Sequence, residues 1–196
     1  MVGVCVLALA SCAPAPELNL EQEVAVEDSP TPEPQAPAEL IFSLPDSCTF
    51  LLPRTVVNQL GSTGVELLRG PGSPSAEPVY FDGPTPEELV GGISCLYGLP
   101  GEEDSAVSIV LSVAPVNPEV RPDIISDLLA QNLNIGQTLD AKGLTYWIWG
   151  DDLVQSANHN EIYADAWYSA LAQPGGRPAY EQAVALVGAM RKSTTQ

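Results

Sequence analysis

Between Ala13 and Asp46 the chain carries eight carboxylates, Glu17, Glu21, Glu23, Glu27, Asp28, Glu33, Glu39 and Asp46, and no base. Prolines run through the same stretch, as in SPTPEPQAPAE, and few aromatic residues are present to bury. Such a segment cannot offset its own ordering entropy and is expected to stay extended, as disordered chain or polyproline II. A core can therefore form only downstream of it. Residues 45–193 are the expected single globular domain, and residues 12–44 an acidic, Pro-rich linker. Over about 33 residues this tether would reach roughly 30 Å as a coil and about 100 Å in full extension. The apolar run LIFSL, Leu40 to Leu44, is expected to end the tether by joining the domain as an edge strand. With a net charge of -18 and only seven scattered basic residues, nucleic acid and anionic membrane surfaces are disfavoured as partners, because binding phosphates needs clustered Lys and Arg.

Upstream of the tether, Val2 to Ala10 form a nearly uninterrupted apolar run. It is too short to span a hydrocarbon core, which takes about 20 residues, and fits the apolar region of an export signal. The run ends in Leu9, Ala10, Ser11 and Cys12. Small residues ahead of a cysteine let an extended backbone enter a peptidase site and leave a thiol to alkylate. The pattern resembles the signal of bacterial lipoproteins. That resemblance implies a diacylglycerol on the Cys12 sulfur, removal of residues 1–11 as signal peptide, and anchorage in the cell membrane with the domain on the extracytoplasmic side. Lipoprotein leaders begin with Lys or Arg, and Met1 to Val4 contain neither; either the natural start lies upstream of Met1, which is the expectation, or the signal is atypical.

Two cysteines, Cys48 and Cys95, remain in the body of the chain. In an exported protein they most simply pair with each other. Closing a loop of about 48 residues would stabilise the fold by roughly 4 kcal/mol in the loop-entropy treatment. The alternatives are two buried free thiols or a metal site, and the latter lacks the short ligand spacings that zinc uses.

The domain opens with an expected short helix over Pro53 to Leu60, Pro at its first turn and Gly61 after its end. Beyond a loop rich in Gly and Pro, Thr85 to Glu88 can start one more helical turn. Gly92 to Tyr97 and Ala106 to Ala114 follow as two strands. In the second, Val107, Ile109, Leu111 and Val113 alternate with Ser108, Val110 and Ser112, which predicts a sheet buried on one face. RPDIISDLLAQNL places Ile124, Ile125, Leu128, Leu129 and Leu133 at helical spacing. Strands are expected at Leu144 to Trp149 and around Glu161 to Leu171, with a short one near Leu153. The closing helix, RPAYEQAVALVGAMRK, has Tyr180, Ala183, Val184, Val187 and Met190 along one stripe and Arg191 with Lys192 at its negative end. This order predicts an α+β domain, an antiparallel sheet with helices packed on one face, stapled by a disulfide. The layout, with its early cysteine, a second at the first hairpin and a closing helix, resembles small actinobacterial lipoproteins of uncharacterised families. That resemblance implies the fold shared by Mog1 and the photosystem protein PsbP, and no activity.

His159 is the only histidine and would be the natural general base of any catalysis at neutral pH. No serine or cysteine stands in a nucleophile motif, and GGISC lacks the flanking glycine of a nucleophile elbow. His159 is thus expected in a hairpin loop, with no catalytic residue and no cofactor assigned. Asp151, Asp152, His159, Glu161 and Asp165 together could supply oxygen ligands to a cation such as Ca²⁺, although acids in a turn are ordinarily solvated. In YWIWGDD the strand period puts Trp147 and Trp149 on one face and Tyr146 with Ile148 on the other. Exposed, the pair could stack on a sugar or peptide; buried with Trp167 under a helix, it is core, and core is the expected place.

The expected function is that of a membrane-anchored extracytoplasmic lipoprotein with a non-enzymatic domain. Its partners would be an envelope protein, a wall component or a small ligand, besides the membrane reached through Cys12. The alternative is an extracytoplasmic hydrolase using His159 and nearby acids.

Overall fold

The computed structural model describes residues 41–75, 77–79, 83–101, 107–150 and 156–196. Residues 1–40, which hold the leader and the tether up to Leu40, and Asp151, Asp152 and the strand expected near Leu153 lie outside them. All the described residues belong to one compact unit, Ala38–Gln196.

Strand β3 (Ser108–Pro115) decides the architecture. Ile109, Val110, Leu111, Val113 and Ala114 are all buried, so apolar side chains leave this strand on both sides and both sides must be covered. It sits in an antiparallel seven-stranded sheet of order β1-β2-β3-β7-β6-β5-β4, with β1 Glu66–Arg69, β2 Ile93–Gly98, β4 Asn134–Gln137, β5 Leu144–Ile148, β6 Ala157–Ile162 and β7 Ala166–Gln173. The chain leaves β3, crosses through helix α3 (Arg121–Ala130) to the far edge, and returns as the meander β4 to β7. There β7 pairs with β3 along its whole length, from Ser108 opposite Gln173 to Pro115 opposite Ala166.

Two cores result. On one face, Cys95, Tyr97, Ile109, Leu111, Val113, Tyr168 and Ala170 meet helix α1 (Arg54–Ser62) through Leu60 and helix α4 (Arg177–Thr194) through Ala183, Leu186, Val187 and Met190. On the other, Ala114, Tyr146, Ile162 and Trp167 meet α3 through Ile124 and Leu128. The α+β class and its antiparallel sheet are as the sequence predicts. The helices, however, occupy both faces rather than one, because alternation in β3 is only partial and Val110 and Ala114 need a cover of their own.

The disulfide Cys48–Cys95 is formed, with a Cα–Cα distance of 5.7 Å. It ties a single 3-10 turn at Cys48–Phe50 to β2, and both cysteines are fully buried. Gly70, at φ 107°, crosses directly over it: a Cβ there would run into the Ser94 carbonyl and the Cys48 sulfur, so only glycine lets the backbone pass this close.

LIFSL does not add an edge strand to the sheet. Phe42 instead makes an isolated bridge with Thr195, and the Ile41 and Ser43 amides donate to the Gln196 and Thr194 carbonyls at 3.0 and 2.8 Å. The Phe42 ring meets Tyr168 edge-on at 6.0 Å. The chain thus enters the described fold beside the C-terminal end of α4. The single strand expected around Glu161 to Leu171 is two, β6 and β7, joined by a tight turn.

Candidate functional site

Strand β5 puts Trp147 and Trp149 two residues apart, hence on one face. Their rings stack at 5.8 Å between centroids with 26° between planes. The N-terminal turn of α4 adds Tyr180, 5.1 Å from Trp147 and 6.2 Å from Trp149. Three rings, two from the β5 segment and one from α4, thus form one platform. Arg177, one helical turn earlier, holds its guanidinium 5.8 Å from the Trp149 ring and donates to Glu181 at 2.9 Å. Trp147 is half-buried and Trp149 is 44% exposed. The expected burial of this pair with Trp167 is therefore corrected. Trp167 points to the opposite face, where it is 5% exposed and donates to Asn160 at 3.0 Å. The strand period sends Trp147 away from α3, and α4 covers it only with its first turn, so Trp149 extends past the helix into solvent.

Beside the platform opens a recess of about 320 Å³ lined by Asn134, Trp147, Ile148, Trp149 and Gly150. This volume lies in the range of small-molecule sites, about 300 to 1,000 Å³. Asn134 comes from the edge strand β4 and donates to the Trp147 carbonyl at 3.2 Å, so an amide is fixed at the rim.

His159 lies directly across from Trp147 on β6, its ring edge-on to Tyr180 at 5.6 Å. It is a strand residue, 3% exposed, and not a hairpin-loop histidine. Its polar atoms are met from the side by Glu161, which lies on the same face two residues on. His159 Nε2 sits 3.2 Å from Glu161 Oε1; facing a carboxylate, Nε2 is the protonated nitrogen. Among the described residues Nδ1 has no hydrogen-bond partner. A ladder continues away from it: the Tyr163 hydroxyl donates to Glu161 Oε2 at 2.6 Å, and Arg191 Nη1 donates to the Tyr163 oxygen at 2.7 Å. Arg191 also pairs with Asp140 at 2.8 Å and lies 3.7 Å over the Tyr163 ring. Burial works against the Glu161 carboxylate, but the hydrogen bonds from His159 and Tyr163 outweigh it and hold its pKa below the usual value. Asp140 is likewise held down, to about 2: desolvation raises it, but hydrogen bonds from Thr138, the Lys142 amide and Arg191, with the Arg191 charge, together outweigh that. Tyr163 is pushed up by burial and by the Glu161 carboxylate.

Of the candidate cation ligands, His159 and Glu161 come together, but each is used in the ladder. Asp165 lies in the β6–β7 turn and accepts from the Phe42 amide at 3.0 Å. Among the described residues no group of three His, Cys, Asp or Glu side chains converges on a point where a metal ion could sit. Asp151 and Asp152 lie outside the described residues.

A second polar cluster was not singled out from the sequence. Helix α2 (Pro86–Leu89) begins at a capping box, with the Glu88 amide donating to the Thr85 hydroxyl and the Thr85 amide to Glu88 Oε2. The same turn buries Glu87, 5% exposed, against the face of the sheet that α3 also covers. Ser94, Ser112 and Ser169 are direct cross-strand neighbours on β2, β3 and β7. Thr85 and Ser94 hydroxyls lie 2.6 Å apart, and Ser94 and Ser112 hydroxyls 2.8 Å apart. Burial raises the Glu87 pKa despite hydrogen bonds from its own backbone amide, Ser169 and Thr85. The detectable signal was a serine at the same register in three strands.

Comparison with protein-family profiles, with curated proteins and with solved structures returns no match. Among the described residues no helix is long and apolar enough to cross a membrane.

Proposed function

We propose that this protein is a membrane-anchored extracytoplasmic lipoprotein whose folded domain is a binding module rather than an enzyme. The observation that carries the binding role is the platform of Trp147, Trp149 and Tyr180 beside an open recess. Large aromatic rings left in water are stabilising only when something covers them. The rings are held from behind by His159 and from the side by α4, so the surface is pre-organised and loses little entropy on binding. His159 is buried beneath Tyr180 with Nε2 engaged by Glu161, an arrangement suited to fixing the platform and not to taking a proton from a substrate.

The anchor rests on Leu9, Ala10, Ser11 and Cys12 and on the acidic spacer that follows. A single acyl chain gives only marginal membrane binding, whereas the two chains of a diacylglycerol give a stable anchor. Cells grown with labelled palmitate should incorporate label into the wild-type protein and none into Cys12→Ser. Equal labelling of both would overturn the anchor assignment.

A further inference from the structure

Building on the binding role proposed above, we infer that the recess takes a neutral saccharide ring.

Charge narrows the ligand first. The chain carries a net charge of -18, which repels polyanions at long range. The nearest cation, Arg177, is already paired with Glu181. A cationic ligand, though drawn at long range, would meet a like charge at Trp149, where Arg177 stands 5.8 Å from the ring. The attraction an aromatic face holds for a cation is already taken up at Trp149 by Arg177. A neutral ligand meets neither cost.

The lining then narrows its shape. Two stacked indoles, 5.8 Å apart and 26° between planes, supply the apolar wall of the recess, and the Asn134 side chain and Gly150 line it beside them. A pyranose has this division of surface: a face of C–H groups to lie on a ring and a girdle of hydroxyls that both donate and accept.

Tryptophan fluorescence of the 196-residue chain, titrated with tri-N-acetylchitotriose, cellotriose and maltotriose, tests this. Trp167 is buried on the opposite face, so a ligand-induced blue shift reports Trp147 and Trp149. At least one trisaccharide should give a saturable shift with a Kd of about 1 mM or tighter. Trp149→Ala should weaken it about tenfold or more, while Trp149→Phe retains most of the affinity. Trp149→Phe should keep the wild-type urea midpoint and Trp149→Ala should lower it only slightly, because the residue is 44% exposed and rests on Trp147 and Tyr180. Absence of a saturable shift with all three sugars, or an undiminished one in Trp149→Ala, overturns the inference. Tetramethylammonium and a proline-rich peptide serve as the opposing probes. If either binds at these tryptophans and the sugars do not, the saccharide assignment is wrong and the binding role stands. If nothing binds, both fall.

Discussion

Replacing Cys48 and Cys95 together by alanine separates what the disulfide contributes from what the core contributes. The bond closes a loop between residues 47 positions apart, and the loop-entropy treatment gives about 4 kcal/mol for a closure of this length. Both sulfurs are fully buried between the Ser94 carbonyl and Gly70, so the variant also loses apolar contacts at that point. A loss of about 4 to 5 kcal/mol is expected. For a domain of this size it would lower Tm by about 8 to 20 °C. In urea titrations followed by circular dichroism the m value should rise, since the denatured chain without its cross-link exposes more surface. Alanine is the informative choice because serine would bury two hydroxyls without partners. A loss below about 1 kcal/mol with an unchanged m value would refute this account of how the 3-10 turn is held to β2.

Two further perturbations examine the other face of the sheet. Leu128 is the most deeply buried residue of α3, and Leu128→Ala should cost about 2 to 5 kcal/mol in urea denaturation; a cost near that of a surface substitution would mean that this face is not a second core. Glu87 has its pKa raised by burial in the fold, so its contribution to stability is full below the ordinary carboxylate range and is lost as pH rises through the raised value. Glu87→Gln, which cannot ionise, should therefore match the wild type at about pH 4 and exceed it at about pH 9. Urea midpoints across that range check it, and a wild type that gains on the variant as pH rises would contradict the assignment.

Helices α3 and α4 are legible because their apolar residues recur at helical spacing, α1 from the proline at its start, although it runs on past Gly61 to Ser62, and the capping residues Thr85 and Glu88 mark α2. The disulfide is legible from the count of cysteines left outside the leader. The edge strands β1 and β4 are not, since four residues of mixed polarity carry no period. Strand β6 reads as a polar turn, ANHNEI, because its side chains find their partners only in the folded sheet. Asn160 accepts from Trp167 and donates to Asn158, and His159 meets Glu161. Ser94 and Ser112 look like a solvated face for the same reason, although hydroxyl pairing across the strands allows both to be buried. At the candidate site, period two puts Trp147 and Trp149 side by side. Their exposure depends on where the first turn of α4 ends, which no local pattern in β5 encodes. Tyr180 joins them only through the return of the C-terminal helix over the sheet.

The most direct measurement of the proposed function is mass spectrometry of the N-terminal peptide of protein extracted from the membrane fraction. The account predicts a peptide that begins at Cys12, carries a diacylglycerol on its sulfur and continues into the acidic spacer. A peptide that runs through Ser11 and Cys12 uncut, with a free thiol, would contradict it.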